Sequence, residues 1–370
     1  MPKNLKSKKL KPSQAFNLFW QYRNQAPDTA SHRCPYCQSS EFVKRGRRQK
    51  KHETVQLYRC KSCNKTFTSQ IVKGKHYPLR IILDGVSLYN LGYSRSETCR
   101  LLKEKYGPEI KPSTLTNWIQ ELSALCRYDR FREKAIKIYS PHQVIKSVTL
   151  NHKQVYQYRY HQAKLDILLN QKDFRHQRFQ DLKTYLIEVE KHCPHEYFQT
   201  GSRSSQAAAT FDLYKVVIEQ KQNHATRLAQ LVLQAVEHNR LRHEALQQFM
   251  LANDSVTVAI EVPIFLEPQD IKHLTKKLGF QIPFKLTEVL TGHIDILQLR
   301  NGLIHILDYK PKAKTEKPYT QLTLYALALS RLTGLKLYDF KCAWFNEHHY
   351  FEFFPLHMVH KLKNWEQVPT

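Results

Sequence analysis

The sequence predicts a multidomain α/β chain with a mixed-sheet core in its C-terminal half. Three observations carry that expectation. Two Cys-x-x-Cys pairs lie close together near the N-terminus, at Cys34/Cys37 and Cys60/Cys63. A run of short helix-forming segments with turn signals follows them. Beyond residue 206, segments alternate in the order helix, strand, strand, strand, helix, strand, with Asn301-Gly302 between two of the strands. A chain of 370 residues is long enough for two or three domains. The expected divisions are 30–70, 76–130, 131–205 and 206–360.

Residues 30–70 read as a zinc ribbon. Two thiolate pairs at this separation supply four ligands for one tetrahedral Zn²⁺, and a closed four-cysteine set leaves no open position for catalysis. A redox dithiol accounts for one such pair but not for two. Between the pairs, KRGRRQKKHETVQLYRC has a basic turn and a β-rich end. Cys99, Cys126, Cys193 and Cys342 are scattered, so a disulfide framework is not expected, and a reducing, cytoplasmic setting is.

Residues 76–130 read as a helix-turn-helix. An apolar-periodic helix over Leu79–Leu91 ends at Gly92-Tyr93, and Ser94-Arg95-Ser96-Glu97 offers an N-terminal cap to the next helix. Pro112-Ser113 opens a third helix, the candidate reader of a DNA major groove. Lys111, Ser113, Thr114, Thr116 and Asn117 are its candidate DNA contacts, whereas Trp118 is expected to pack in the core. GYSRSETCRLLKEKYG and STLTNWI, directly behind a ribbon, resemble the N-terminal half of insertion-sequence transposases.

Composition agrees with a nucleic-acid partner. The chain holds 58 Lys and Arg against 32 Asp and Glu, a formal charge of +26. Residues 1–130 alone hold 26 basic and 9 acidic residues, which leaves +17 in the first third. Such a field attracts polyanions with salt-sensitive affinity that is largely indifferent to sequence. The ribbon and helix-turn-helix favour double-stranded DNA over RNA. Met1–Lys11 lacks the apolar core of a signal peptide and reads as a basic tail touching nucleic acid. No apolar run is long enough to cross a membrane.

Residues 131–205 carry no motif. AKLDILL and FQDLKTYLIEVEKHC suggest helices, a linker arm or a cap, and Thr200–Ser205 is the expected flexible joint.

The C-terminal half carries the chemistry. Thr257–Leu266 reads as a strand with Glu261 in an otherwise apolar run. GHIDILQLRNGLIHILDYKP reads as two alternating strands joined by a tight two-residue turn at Asn301-Gly302. In that register Arg300 faces Leu303, Asp295 faces Asp308 and His293 faces Lys310. Asp295, Asp308 and Lys310 then share one face of the hairpin. Paired carboxylates suit Mg²⁺ or Mn²⁺, which polarises a phosphate oxygen and acidifies water. The lysine can offset charge developing on phosphoryl oxygens or orient the attacking water. The helix after Pro318 places Gln321 and Tyr325 on one face and ends near Gly334.

Taken in order, Glu261, GHIDI, LDYKP and QLTLYALAL resemble the core of PD-(D/E)XK nucleases, the RecB-like subgroup in particular. The resemblance covers roughly residues 220–355 and implies a restriction-endonuclease-like αβββαβ core. It further implies Asp295 and Asp308 as metal ligands and Lys310 as the catalytic lysine. Gln321 and Tyr325 match the helical motif beside the site, and Glu261 the acidic residue of the first strand. The subgroup often adds a histidine from the first helix. Over Gln222–Met250 the candidate is His224, with His238 and His243 competing. Some relatives carry a cysteine-bound iron–sulfur cluster; only Cys193 and Cys342 fall in this half, so none is expected.

The expected protein is a Mg²⁺- or Mn²⁺-dependent deoxyribonuclease behind a DNA-binding front end. Cutting both strands would favour a homodimer. The alternatives are a non-catalytic DNA-binding regulator and a transposon-associated protein. Divalent-metal dependence separates the first from a nuclease, and strand joining at specific ends marks the second.

Overall fold

The computed structural model describes residues 33–360 except 51, 53, 69–75, 171–175, 205–210, 212–217 and 237. The expected basic tail at Met1–Lys11 lies outside the described residues. The described chain divides into two compact units. One contains residues up to 89, 93–122 and 231–249; the other contains 90–92, 123–230 and 250 onward.

In the first unit, strands β1 (Phe42–Gln49), β2 (Thr54–Cys60) and β3 (Thr66–Thr68) form an antiparallel sheet in that order. Its core is small: Cys34, Tyr58, Cys60 and Phe67 are buried, with Phe42 against them. Three helices follow, α1 (Leu79–Asn90), α2 (Arg95–Tyr106) and α3 (Pro112–Leu122). The Glu97 amide donates to Ser94 Oγ at the start of α2, as its sequence predicts. Lys105 and the Tyr106 hydroxyl both donate to the buried Asp84, tying the end of α2 to α1. Leu115 and Trp118 turn inward from α3, while Lys111, Ser113 and Asn117 are exposed and Thr114 and Thr116 half-buried. The Thr116 hydroxyl donates to the Pro112 carbonyl within its own helix.

The second unit is organised by a nine-stranded mixed sheet among the described residues. Its chain order begins with α4 (Asp129–Ile138), β4 (Ile145–Asn151), β5 (Val155–His161), α5 (Gln162–Leu169), α6 (Gln180–His192) and α7 (His195–Thr200). Then come β6 (Ser202–Arg203), β7 (Glu219–Gln220), α8 (His224–Val232), β8 (Thr257–Leu266) and α10 (Pro268–Lys276), while α9 (Arg242–Asn253), between α8 and β8 in the chain, belongs to the first unit up to residue 249. The last elements are β9 (Leu290–Arg300), β10 (Leu303–Tyr309), α11 (Tyr319–Thr333), β11 (Phe340–Phe345) and β12 (Tyr350–Phe353). Across the sheet the strands run β4-β5-β8-β9-β10-β11-β12-β7, and β6 adds alongside β9. The β10–β11 and β6–β9 pairs are parallel, as a strand–helix–strand crossover requires for the former.

Three expectations are corrected here. The stretch 131–205 is not a purely helical linker: β4 and β5 form a hairpin that extends the main sheet through β8. Its alternation is carried by tyrosines among Gln and Arg, and its turn has no Gly, so neither strand signal was strong. Thr200–Ser205 is not a loose joint, because Ser202 and Arg203 pair with Leu290 and Thr291. Gly201 serves close approach there: a Cβ would lie 2.5 Å from the Val289 carbonyl oxygen. Ser205 itself lies outside the described residues. Finally, Gln222–Met250 is not one helix but α8 and part of α9, with a 3₁₀ turn at Asn239–Leu241 between them. No Pro or Gly marks that break, and the apolar period runs through it.

Lys164 on α5 is fully buried and fastens the entry to β8. Its ammonium pairs with Asp254 at 3.3 Å and donates to the carbonyls of Leu251 (2.7 Å) and Thr257 (3.0 Å). Asp254 in turn accepts from the Val256 and Thr257 amides. Removing one member of a buried pair strands the other charge. Lys164→Ala is therefore expected to cost about 3–5 kcal/mol, read from denaturant unfolding. A loss below about 1 kcal/mol would show that water reaches Asp254 instead.

Candidate active site

The acidic residues meet on three adjacent strands. The β9–β10 register is the one that the turn chemistry predicts, with Arg300 opposite Leu303 and Ile296 opposite Leu307. Asn301 and Gly302 have φ of 54° and 73°, the doubly left-handed turn that Asn-Gly favours. One step beyond the last ladder pair, Asp295 and Asp308 face each other. On the other side of β9, Ile260 pairs with Ile296 and Val262 with Ile294, which sets Glu261 opposite Asp295. Glu261 has φ of 52° inside a strand, a conformation a side-chain-bearing residue holds only under constraint from its surroundings. Three carboxylates thus form a row across β8, β9 and β10.

Their surroundings differ. Asp308 is buried, and its Oδ1 accepts no hydrogen bond among the described residues. Lys310 Nζ lies 3.0 Å from Asp308 Oδ2. Burial, followed by the Asp295 charge, pushes the Asp308 carboxyl well above the usual range, with Lys310 only partly opposing this. Burial works against the Lys310 charge, but Asp308, Asp295 and Glu316 outweigh it and hold the ammonium above its ordinary value. Lys310 is thereby a cation rather than a base in the metal-free chain. The Trp344 indole donates to the Ala313 carbonyl and Asn346 to the Pro311 carbonyl, which fixes the segment just after Lys310.

Beside the carboxylates opens a cleft of about 200 Å³. Glu261, Asp295, Gln321 and Tyr325 line it, whereas Asp308 and Lys310 do not; the cleft reaches them through Asp295, which faces Asp308. Gln321 Nε2 donates to the Tyr325 hydroxyl at 2.7 Å, the i,i+4 pairing their spacing predicts. Gly292 is needed for this approach, because a Cβ would meet the Tyr325 ring at 2.5 Å and Ser204 Oγ at 2.7 Å. Gly292→Ala should displace the Tyr325 ring from Gln321 and cost about 1–3 kcal/mol, measured by chemical denaturation. An unchanged midpoint would show that α11 yields freely.

His224 does not line the cleft. Its Nε2 faces the Leu125 carbonyl at 2.8 Å, and the carboxylate that acts on it is Asp254. The structure supplies instead several residues that sequence reasoning passed over: His152, Lys153 and Tyr156 from the β4–β5 hairpin, Arg203 and Ser204 from β6 and its end, and His293. Of these only His293 had a visible signal, since it lies two positions before Asp295 on the same strand. His293 stacks on Tyr156, with ring centroids 3.6 Å apart. Burial, then the neighbouring His152, lowers its pKa to about 3, and burial with His195 lowers that of His152 to about 4.

The donor set fits a hard divalent cation. Carboxylate oxygens are its preferred ligands, and a buried carboxylate oxygen without a partner is the feature a cation would satisfy. A linkage consequence follows from the raised Asp308 pKa. Such a group contributes stability below the unfolded carboxylate pKa and loses it as pH rises through the folded pKa. Without metal, the chain should therefore lose stability between acid and neutral pH. Asp308→Asn should flatten this pH dependence, read as Tm against pH. Equal melting of the two proteins across that pH range would contradict it.

At the four-cysteine cluster, Cys34 Sγ lies 3.5 Å from Cys63 Sγ, and Cys37 Sγ lies 3.5 Å from Cys60 Sγ. All four sulfurs fall within 4.8 Å of one another, which is consistent with a zinc ribbon.

Residues 174–351 match the family model of the PD-(D/E)XK nuclease superfamily. No curated protein and no solved structure matches the chain. No helix among the described residues is long and apolar enough to cross a membrane.

Proposed function

We propose, starting from the PD-(D/E)XK nuclease superfamily domain carried by residues 174–351, that this protein is a divalent-metal-dependent DNA nuclease. The observation that carries the reading is the row Glu261, Asp295, Asp308 beside a lysine paired to Asp308 at 3.0 Å. Structural ion clusters seldom leave a buried carboxylate oxygen without a hydrogen-bond donor, as Asp308 Oδ1 is left beside the Asp295 carboxyl.

In this reading Asp295 and Asp308 hold Mg²⁺ or Mn²⁺, with Glu261 completing the acidic rim. The cation, when bound, neutralises phosphate charge and acidifies the attacking water. Lys310, held protonated, stabilises the extra negative charge on the phosphoryl oxygens as the bond to the leaving oxygen breaks. Arg203, on the cleft wall, takes a neighbouring phosphate of the strand. Gln321 and Tyr325 orient each other and bound DNA. The ribbon holds structural zinc, and the α1–α3 helices bind duplex DNA through Lys111, Ser113, Thr114 and Asn117. Thr116 contributes mainly to its own helix. The +17 charge of residues 1–130 supports a polyanionic partner.

Closed-circular and end-labelled linear DNA, each incubated with the full chain and Mg²⁺ or Mn²⁺, test the proposal. Cleavage that stops on chelation is the expected result. DNA binding with no cleavage in either metal would favour the non-catalytic regulator.

A further inference from the structure

We propose that His152, Cys193 and His195 form a further transition-metal site, of the Zn²⁺ class, at the rim of the acidic cleft. They come from three places in one unit: the β4–β5 turn, the residue after α6, and the first residue of α7. One ligand atom from each lies within 4.8 Å of the other two.

Two of the three ligand-atom distances lie close to those of a coordination shell. His152 Nε2 lies 3.2 Å from His195 Nδ1 and 3.9 Å from Cys193 Sγ. Tetrahedral zinc, with Zn–N about 2.0–2.1 Å and Zn–S about 2.3 Å, sets ligand atoms roughly 3.3–3.8 Å apart. The sulfurs of the ribbon cluster, at 3.5 Å, fall in the same range. A shared cation satisfies the arrangement better than a hydrogen bond does. A neutral imidazole nitrogen offers one N–H or one lone pair, yet His152 Nε2 faces both a ring nitrogen and a sulfur.

The ring of His152 is also held as a ligand's ring is held. Its Nδ1 lies 2.8 Å from His293 Nε2, and it stacks on Phe198 at 3.9 Å between centroids. A metal-ligating histidine ordinarily uses its second nitrogen in such a bond, which fixes its tautomer. Metal on Nε2 leaves the proton on Nδ1, so His152 donates and His293 Nε2 accepts. The site would thereby set the tautomer of His293, two residues from Asp295 on β9. Two imidazoles and a thiol without a carboxylate select zinc-like ions over Mg²⁺. His195 is exposed, so a fourth position open to water remains on its side.

The test is zinc content by elemental mass spectrometry, on full chain equilibrated with zinc and then dialysed into Mg²⁺. About two zinc per wild-type chain are expected: one in the ribbon, one here. Cys193→Ser and His195→Ala should each lose one equivalent while retaining the wild-type circular dichroism. Cys34→Ser should lose the other, and Asp308→Asn should lose none. Cobalt substitution gives a second reading, a thiolate-to-cobalt band in Cys34→Ser that disappears when Cys193→Ser is added. One zinc per wild-type chain, kept in Cys193→Ser, would overturn the site whether or not the variants fold. So would a second zinc that leaves with Asp308→Asn and stays with Cys193→Ser. Either result would leave the nuclease reading standing.

Discussion

Replacing Asp308 with Asn is expected to lower the rate of DNA cleavage by at least about a thousandfold, with DNA affinity within a few-fold of wild type. The size follows from the number of interactions lost. Asp308 is the buried carboxylate against which Lys310 is placed, so under the proposed function its charge would both anchor the cation and orient the ammonium. Several kcal/mol of transition-state stabilisation go with it, and about 1.4 kcal/mol corresponds to each factor of ten. Lys310→Ala should cost about a hundredfold to a thousandfold, the scale of losing one charged donor to a developing oxyanion. The two losses should not add fully, because the groups act on each other. Single-turnover cleavage under saturating enzyme measures this. A Lys310→Ala rate within threefold of wild type would remove the lysine from the mechanism.

With zinc on the four cysteines as proposed, its removal is expected to unfold β1, β2 and β3. The buried cluster there is Cys34, Tyr58, Cys60 and Phe67, with Val55 buried outside it, too little apolar surface to order a domain of that size. Two of those four are themselves candidate ligands. Structural zinc sites of this kind contribute about 10–16 kcal/mol of apparent binding energy, which is also folding energy. Chelation, or Cys60→Ser, should abolish amide protection in β1 and β2 while β9 and β10 keep theirs. Hydrogen exchange read by mass spectrometry distinguishes the regions. Protection of β2 that survives zinc removal would mean that the Tyr58–Phe67 packing suffices alone.

Much of the candidate site's geometry was legible because it is local. Asn301-Gly302 fixes a turn, the turn fixes a register, and the register puts Asp295 across from Asp308 with no further information. Gly334, with φ of 71°, ends α11 where the pattern predicts. Glu261 was visible as a charge in an apolar strand, but its left-handed backbone was not, since non-Gly residues give no sign of it. The cleft's far wall was illegible for a different reason. His152, Arg203 and His293 are brought together by pairings between distant segments, β5 with β8 and β6 with β9, and no periodicity encodes those. His224 lies against the Leu125 carbonyl and off the cleft lining, and 19 histidines offer no local way to choose among them.

The measurement that tests the central claim most directly compares wild type and Asp308→Asn on the same labelled DNA, binding and cleavage read together in Mg²⁺. The account predicts equal binding, cleavage by wild type alone, and loss of that cleavage on chelation. Equal cleavage by both proteins, or binding by both with no cleavage in Mg²⁺ or Mn²⁺, would contradict it.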